Sequence, residues 1–205
     1  MRSKNKVNQK MIKHIISFTL ILFSLAACVP TGIVAIPSSI ADRRTTGVQV
    51  EDQTIELKAL YEFQKINGDF SVSATSYSQN VLITGESTTQ ELKDQIQDVV
   101  AKIEGVKSIY NEVLITNSLP LKEKAKSKTK DYGITTNIIA RLFKEETKSN
   151  VSPIHIKVVT ERQIVYLMGL VTQQEADEAL QIAKTSAGVL KVKSFFEINN
   201  QYKKN

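Results

Sequence analysis

The chain has 205 residues, with 27 basic and 21 acidic side chains, a formal charge of +6, two histidines, one cysteine and no tryptophan. A lone cysteine rules out an internal disulfide, and two histidines leave little material for a histidine metal centre or a Ser–His nucleophile pair. The glycines stand singly at element ends, so no Gly-rich phosphate loop is present either.

In chain order, Met1 to His14 carries Arg2, Lys4, Lys6, Lys10 and Lys13 and no acid, Ile15 to Leu25 is almost unbroken apolar, and Ala26 and Ala27 precede Cys28. A basic start, a short apolar core and small residues describe a bacterial export signal over 1–27. About eleven core residues fall short of the roughly twenty a membrane span needs. Leu25-Ala26-Ala27-Cys28 looks like a lipobox, after which bacterial lipoprotein signal peptidase cuts at a cysteine already bearing diacylglycerol. Cys28 is therefore the expected lipidation site, against the alternative of a signal anchor with an incidental cysteine. Val29, where an Asp would retain the protein, resembles the sorting rule for the outer membrane. Loss of 1–27 leaves 22 basic against 21 acidic residues, so the charge is mostly the leader's and no nucleic-acid partner is expected.

Residues 28–46 read as an acylated N-terminus and tether. Two similar stretches follow: "DQTI" at 52–55 and "DYGI" at 131–134, "VLITGESTTQE" at 81–91 and "VYLMGLVTQQE" at 165–175, "GVKSI" at 105–109 and "GVLKV" at 188–192. These mark a duplicated unit, with domains at 47–118 and 131–200, a lysine-rich linker "LPLKEKAKSKTK" at 119–130 and a basic tail at 201–205. In the first copy Asp52 is placed to cap a helix bearing Ile55, Ala59, Leu60 and Phe63. Phe70–Tyr77 and Val81–Thr84 read as strands around a Gln79–Asn80 turn, with Gly85 ending the second. A helix from Thr88 or Thr89 closes at Gly105, and 106–115 supplies a third strand. The second copy repeats this, with a helix from Tyr132, strands at 154–160 and 164–169, a helix from 173 and a strand at 189–198. The expected fold is α+β: two α-β-β-α-β domains, each a three-stranded mixed sheet with two helices on one face.

This order, with "RTTGVQVEDQTIEL" at 44–57, "IYNEV" at 109–113, "ITT" at 134–136 and "VYLMGLVTQQEA" at 165–176 behind a lipobox, resembles the BON domain family. The resemblance implies a non-enzymatic outer-membrane lipoprotein, facing the periplasm and enriched at division sites, that binds anionic phospholipid through its second domain and supports envelope integrity. It implies no cofactor. Where lipoproteins of this kind carry Trp in a "DTWITT" segment, this chain reads "DYGITT", with Gly133 in the aromatic position and Tyr132 one residue earlier.

The residues give a surface reading of their own. On a helical wheel with Ile134 at 0°, Ile134, Ile138 and Leu142 span about 0–80° and suit a core. Ile139, Tyr132, Phe143, Thr136, Thr147, Ala140 and Gly133 fall at about 140–260° without a charge, and Arg141, Lys144 and Lys148 follow at about 280–340°. An uncharged, partly aromatic face beside a basic edge is what an interfacial helix needs, and Lys128 and Lys130 in the linker would add to it. The alternative is that the other domain, wider core packing or an envelope protein partner covers this face. Phe143 has Gln64 as its counterpart in the first copy, where 47–118 carries 5 basic and 11 acidic residues, so only the second domain suits an anionic surface. His155 is read as a surface strand residue, and the pairs Glu145–Glu146 and Asp177–Glu178 as solvated faces rather than catalytic groups.

Overall fold

The computed structural model describes residues 42–116, 121–146 and 151–202, with backbone alone at 121–126 and 145–146. The expected leader, the expected lipidation site Cys28, the expected tether up to residue 41, Thr147, Lys148 and the last three residues of the basic tail lie outside this range.

The first domain runs α1 (Thr46–Phe63), β1 (Phe70–Tyr77), β2 (Asn80–Ser87), α2 (Gln90–Ala101), β3 (Ser108–Asn111) and β4 (Leu114–Ile115). β2 is central, antiparallel to β1 and parallel to β3 and then β4, which lie in line along its other side. The second domain runs α3 (Leu121–Glu146), a 3-10 turn (Pro153–His155), β5 (Ile156–Glu161), β6 (Ile164–Val171), α4 (Gln173–Lys184) and β7 (Lys191–Ile198). Its sheet has the same mixed order, β5-β6-β7, with only the last pair parallel. Two helices cover one face of each sheet, and each domain has its own core: Ile55, Phe63, Val81, Ile83, Ile96 and Val100 in the first, Ile134, Ile138, Leu142, Val165, Leu167 and Ala179 in the second.

Alternation along the central strands explains the packing of the two domains. In β2, Val81 and Ile83 face the helices while Leu82 faces the other way; in β6, Val165 and Leu167 face the helices while Tyr166 and Met168 do not. Leu82, Tyr77, Tyr166, Met168 and Leu170 form a third buried cluster shared by both sheets. The described residues form one compact unit layered helix, sheet, sheet, helix. This is why Val81–Ile83 in β2 and most of β6 are unbroken apolar stretches: they are buried on two faces. Tyr110 stacks on Phe195 at 4.1 Å between centroids, the Tyr77 hydroxyl donates to the His155 carbonyl at 3.0 Å, and Glu86–Arg162 and Glu112–Lys193 ion pairs fringe the contact.

The segment preceding α1 also joins the domains. Arg44 bonds Asp42 and Asp52 and lies 3.9 Å over the Tyr77 ring. Arg43 grips Glu175 in a fork of 2.6 and 2.8 Å, donates to the Leu170 carbonyl and lies over Tyr202. Burial works against charge on Glu175, but the Arg43 bonds and the Thr172 amide outweigh it and hold the carboxyl below its usual value of 4.5. A depressed carboxylate contributes stability above its unfolded pKa and loses it as pH falls through the folded value. Urea midpoints should therefore drop as pH falls below about 4.3, with a shallower fall in Glu175→Gln.

Several local expectations are corrected. Asp52 does not cap α1; Thr45 does, its hydroxyl accepting from the Val48 amide, and Asp52 lies inside the helix. The first hairpin turns at Ser78–Gln79 rather than Gln79–Asn80, because Asn80 already pairs with Tyr77. Gly85 does not end β2 but lies within it, opposite Val72, where a Cβ would come within 2.1 Å of the Ser71 carbonyl oxygen; Gly169 in β6 likewise faces the His155 carbonyl at 2.4 Å. The glycines mark close backbone approach, not strand ends. The third strand is interrupted at Glu112–Val113, where Val113 turns into the core. His155 ends the 3-10 turn, half-buried, rather than lying in a strand. The lysine-rich segment is helical from Leu121, since its Leu, Lys, Glu and Ala are helix formers without Gly or Pro. It has no apolar periodicity because Lys128, Thr129 and Lys130 face solvent.

Candidate functional site

Helix α3 rests on its sheet through Ile134, Ile138 and Leu142, the three residues expected in the core. Its position is fixed by Asp131, which is 4 % exposed and accepts from the Gln163 amide at 2.7 Å and the Arg162 amide at 2.9 Å. Arg162 and Gln163 have φ of 50° and 62°, and Ser78 and Gln79 of the first domain have 53° and 67°. Both hairpins thus carry two consecutive left-handed residues, the geometry of a type I′ turn, with no glycine to ease it. In each the buried aspartate takes the two strained amides: Asp52 accepts from Ser78 at 2.9 Å and Gln79 at 2.7 Å. The repeated Asp was visible in the sequence; its partners, 26 to 32 residues further on, were not.

On the outer side of α3, Tyr132 is 75 % and Phe143 54 % exposed, and Gly133, Thr136 and Ala140 are exposed between them. Lys128, Lys130 and Lys144 are exposed on the same helix, and the end of the Lys130 stem lies near Gly188. Ile139 departs from the expected set: it is half-buried and packs against the core. Arg141 departs from the expected basic edge. Its guanidinium donates to the Ile182 carbonyl and the Ser186 hydroxyl, both at 2.6 Å, and to the Thr185 hydroxyl at 2.9 Å. It thereby satisfies the C-terminal end of α4, where a cation is favoured by the helix dipole. Of the expected residues, Tyr132, Gly133, Thr136, Ala140, Phe143, Lys128, Lys130 and Lys144 remain as an exposed outer face.

No methyl group at Gly133 would meet another atom within 4 Å. Gly133→Trp should therefore fold normally and gain several tenths of a kcal/mol or more in helix stability, read as a raised urea midpoint.

The equivalent face of α1 is different. Val50, Leu57, Leu60 and Tyr61 are exposed there, with Lys58 exposed on the same helix and Lys65 lying 4.1 Å over the Tyr61 ring, in a domain that is acidic overall.

The family model described as the BON domain matches twice, at residues 49–117 and 130–200. "Outer membrane lipoprotein DolP" of Haemophilus influenzae is 30% identical over 191 residues, covering 92% of this chain and 95% of the relative. A "21 kDa hemolysin" of Actinobacillus pleuropneumoniae is 29% identical over 154 residues, covering 74% and 76%. Among solved structures, the C-terminal domain of CdsD, a structural protein of the type III secretion system of Chlamydia trachomatis, covers 70% of this chain and 96% of its own length at 12% identity. Its TM-score is 0.25, too low to carry a structural argument. Two complete domain matches in tandem, over the two α-β-β-α-β units the structure contains, make this chain a member of the BON domain family.

Proposed function

We propose that this protein is an outer-membrane lipoprotein, anchored at Cys28, whose second BON domain lays the outer face of α3 on the anionic phospholipid of the periplasmic leaflet. Its role is binding rather than catalysis, in support of envelope integrity, with the division site as its place of enrichment. The observation that carries this reading is the exposure of Tyr132 and Phe143 on one face of α3 with Lys128, Lys130 and Lys144 around them. Aromatic side chains can enter the headgroup boundary while lysines meet lipid phosphates, each lysine adding up to about 1 kcal/mol near a strongly anionic surface. The near-neutral charge at 131–200 and the surplus of lysine at 119–130 favour that domain, and the acidic first domain would be repelled. No helix among the described residues is long and apolar enough to cross a membrane. Attachment in this reading rests on the acyl chains, and α3 orients a protein already tethered.

The test is cosedimentation of the unacylated chain, residues 29–205, with phosphatidylglycerol and with phosphatidylcholine vesicles. Binding should be selective for the anionic vesicles and weaken as salt rises. Tyr132→Glu combined with Phe143→Glu should reduce it by about tenfold or more. Unchanged binding by the double variant would end the proposal.

A further inference from the structure

We propose that the first domain binds an extended segment of a partner protein, basic and apolar in alternation, which adds as a strand to the free edge of β1 and seats its apolar side chains against α1. β1 is the outer strand of its sheet, and no strand among the described residues pairs with its far side. Sheet edges are normally blunted by lysine, proline or a bulge. The β1 sequence, FSVSATSY, contains neither residue and pairs with β2 in unbroken register.

The amide of Ser76 points outward, where the Glu56 carboxylate accepts it at 2.9 Å and stands in for the carbonyl of a neighbouring strand. By alternation, the backbone groups of Ala74 and Val72 face the same open side. Immediately beneath them, between β1 and α1, lies a groove of about 450 Å³ whose apolar walls are Leu57, Leu60, Phe63, Val72 and Ala74. Leu57 is 68 % exposed, a high value for a leucine on a helix packed against a sheet. The second domain differs at the corresponding place. There Ile139, the counterpart of Leu60, packs into the core, and Thr135, the counterpart of Glu56, bonds the Thr160 hydroxyl at 2.8 Å.

Charge selects the occupant. Glu56 lines the groove, and residues 47–118 hold 11 acidic against 5 basic residues. A second copy joined edge to edge would bring these acids together, and an anionic leaflet would be repelled. A cationic strand is attracted. Main-chain bonds would supply affinity, and side chains at alternate positions would supply choice of partner. Because the helical layers face opposite ways, α1 and α3 lie on opposite outer surfaces, and this site stays open while α3 meets another surface.

The experiment titrates the ¹⁵N-labelled chain, residues 29–205, with the blocked heptapeptide KVKLKVK and with its charge reversal EVELEVE. Saturable shifts at the amides of Val72, Ala74, Leu57 and Leu60 are expected with the basic peptide, and binding about tenfold or more weaker with the acidic one. Ala74→Pro removes an outward amide at a position where an edge strand tolerates proline. Leu60→Glu places a charge on an exposed wall and leaves the fold intact. Each should cost about tenfold or more in affinity, and Phe143→Glu on the opposite surface should cost nothing. Should Ala74→Pro unfold by circular dichroism, Leu60→Glu decides alone. The proposal is overturned by absent or unsaturable binding, by shifts confined to other surfaces, by equal affinity for the acidic peptide, or by full affinity in Leu60→Glu. A concentration-dependent dimer formed through β1 in sedimentation would also overturn it, since the edge would then belong to a second copy.

Discussion

Asp52→Ala is expected to lower the unfolding free energy by about 3–5 kcal/mol, among the largest effects of any single polar substitution in this chain. The carboxylate is 3 % exposed and has four donors: the Ser78 and Gln79 amides, the Ser76 hydroxyl at 2.7 Å and the Arg44 guanidinium at 3.0 Å. Removing it strands two amides and a hydroxyl in a place water cannot reach, each worth about 1–3 kcal/mol. It also removes the bonds to both left-handed amides, leaving the turn held by the Gln79 side chain on Glu51, the Asn80 side chain on the Ser78 carbonyl and the Lys107 amide on the Gln79 carbonyl. Arg44 retains Asp42 and the Tyr77 ring, so the cation is not wholly abandoned. Asp131→Ala removes two turn amides and the Ser127 hydroxyl but no arginine, and about 2–3 kcal/mol is expected there. Gln79→Gly in the Asp52→Ala background should restore about 1 kcal/mol by relieving the positive φ. Urea unfolding at unchanged slope measures all three. A loss below about 1 kcal/mol in Asp52→Ala would mean the turn holds its shape without the carboxylate.

The aspartates show where reading the sequence stops. Asp near a helix start has the signature of an N-cap, and nothing local distinguishes that role from a carboxylate reaching a distant turn. The order of elements was legible because apolar residues recur with helical and strand periods, as in Ile134, Ile138 and Leu142 or Val81 and Ile83. Arg141 followed the same periodicity onto a basic edge, yet its partners at Ile182, Thr185 and Ser186 are 41 to 45 residues away and decide what it does. Ile139 lay on the uncharged arc by angle, but a long side chain at the rim of a small domain folds back onto the core. The helix through the lysine segment was missed because periodicity reports burial, and a solvated helix buries nothing. Val81–Ile83 and β6 are apolar at successive positions, as strands buried on two faces are; that each strand's second face meets the other domain is information only the tertiary structure holds.

Leu82→Asp is expected to part the two domains while leaving each folded, whereas Val81→Asp, one residue earlier, is expected to unfold the first domain alone. Both leucine and valine are fully buried, so an aspartate at either place is an uncompensated charge costing about 3–5 kcal/mol. What differs is the face. Val81 belongs to the cluster beneath α1 and α2, with Ile55, Phe63 and Ile96. Leu82 belongs to the cluster between the sheets, with Tyr166, Met168 and Leu170 of the second domain, and neither helix-covered core depends on it. Of the remaining cross-domain contacts, the partly exposed pairs Glu86–Arg162 and Glu112–Lys193 contribute about 0–1 kcal/mol each, and the buried Arg43–Glu175 fork, the Tyr110–Phe195 stack and the Tyr77–His155 bond lie around a centre that has become polar. Leu82→Asp should keep its far-ultraviolet helix signal, lose the near-ultraviolet tyrosine signal of the Tyr77–Tyr110–Tyr166 region and show a larger radius of gyration in small-angle scattering. Val81→Asp should lose the helix signal of α1 and α2 and keep that of α3 and α4. If Leu82→Asp instead melts all helices in a single transition, domains of about 70 residues would lack stability of their own, and the sheet-to-sheet contact would be what makes either of them fold. In the first outcome the contact sets only orientation, holding the α1 groove and the α3 face on opposite sides, and vesicle binding through α3 should survive the substitution.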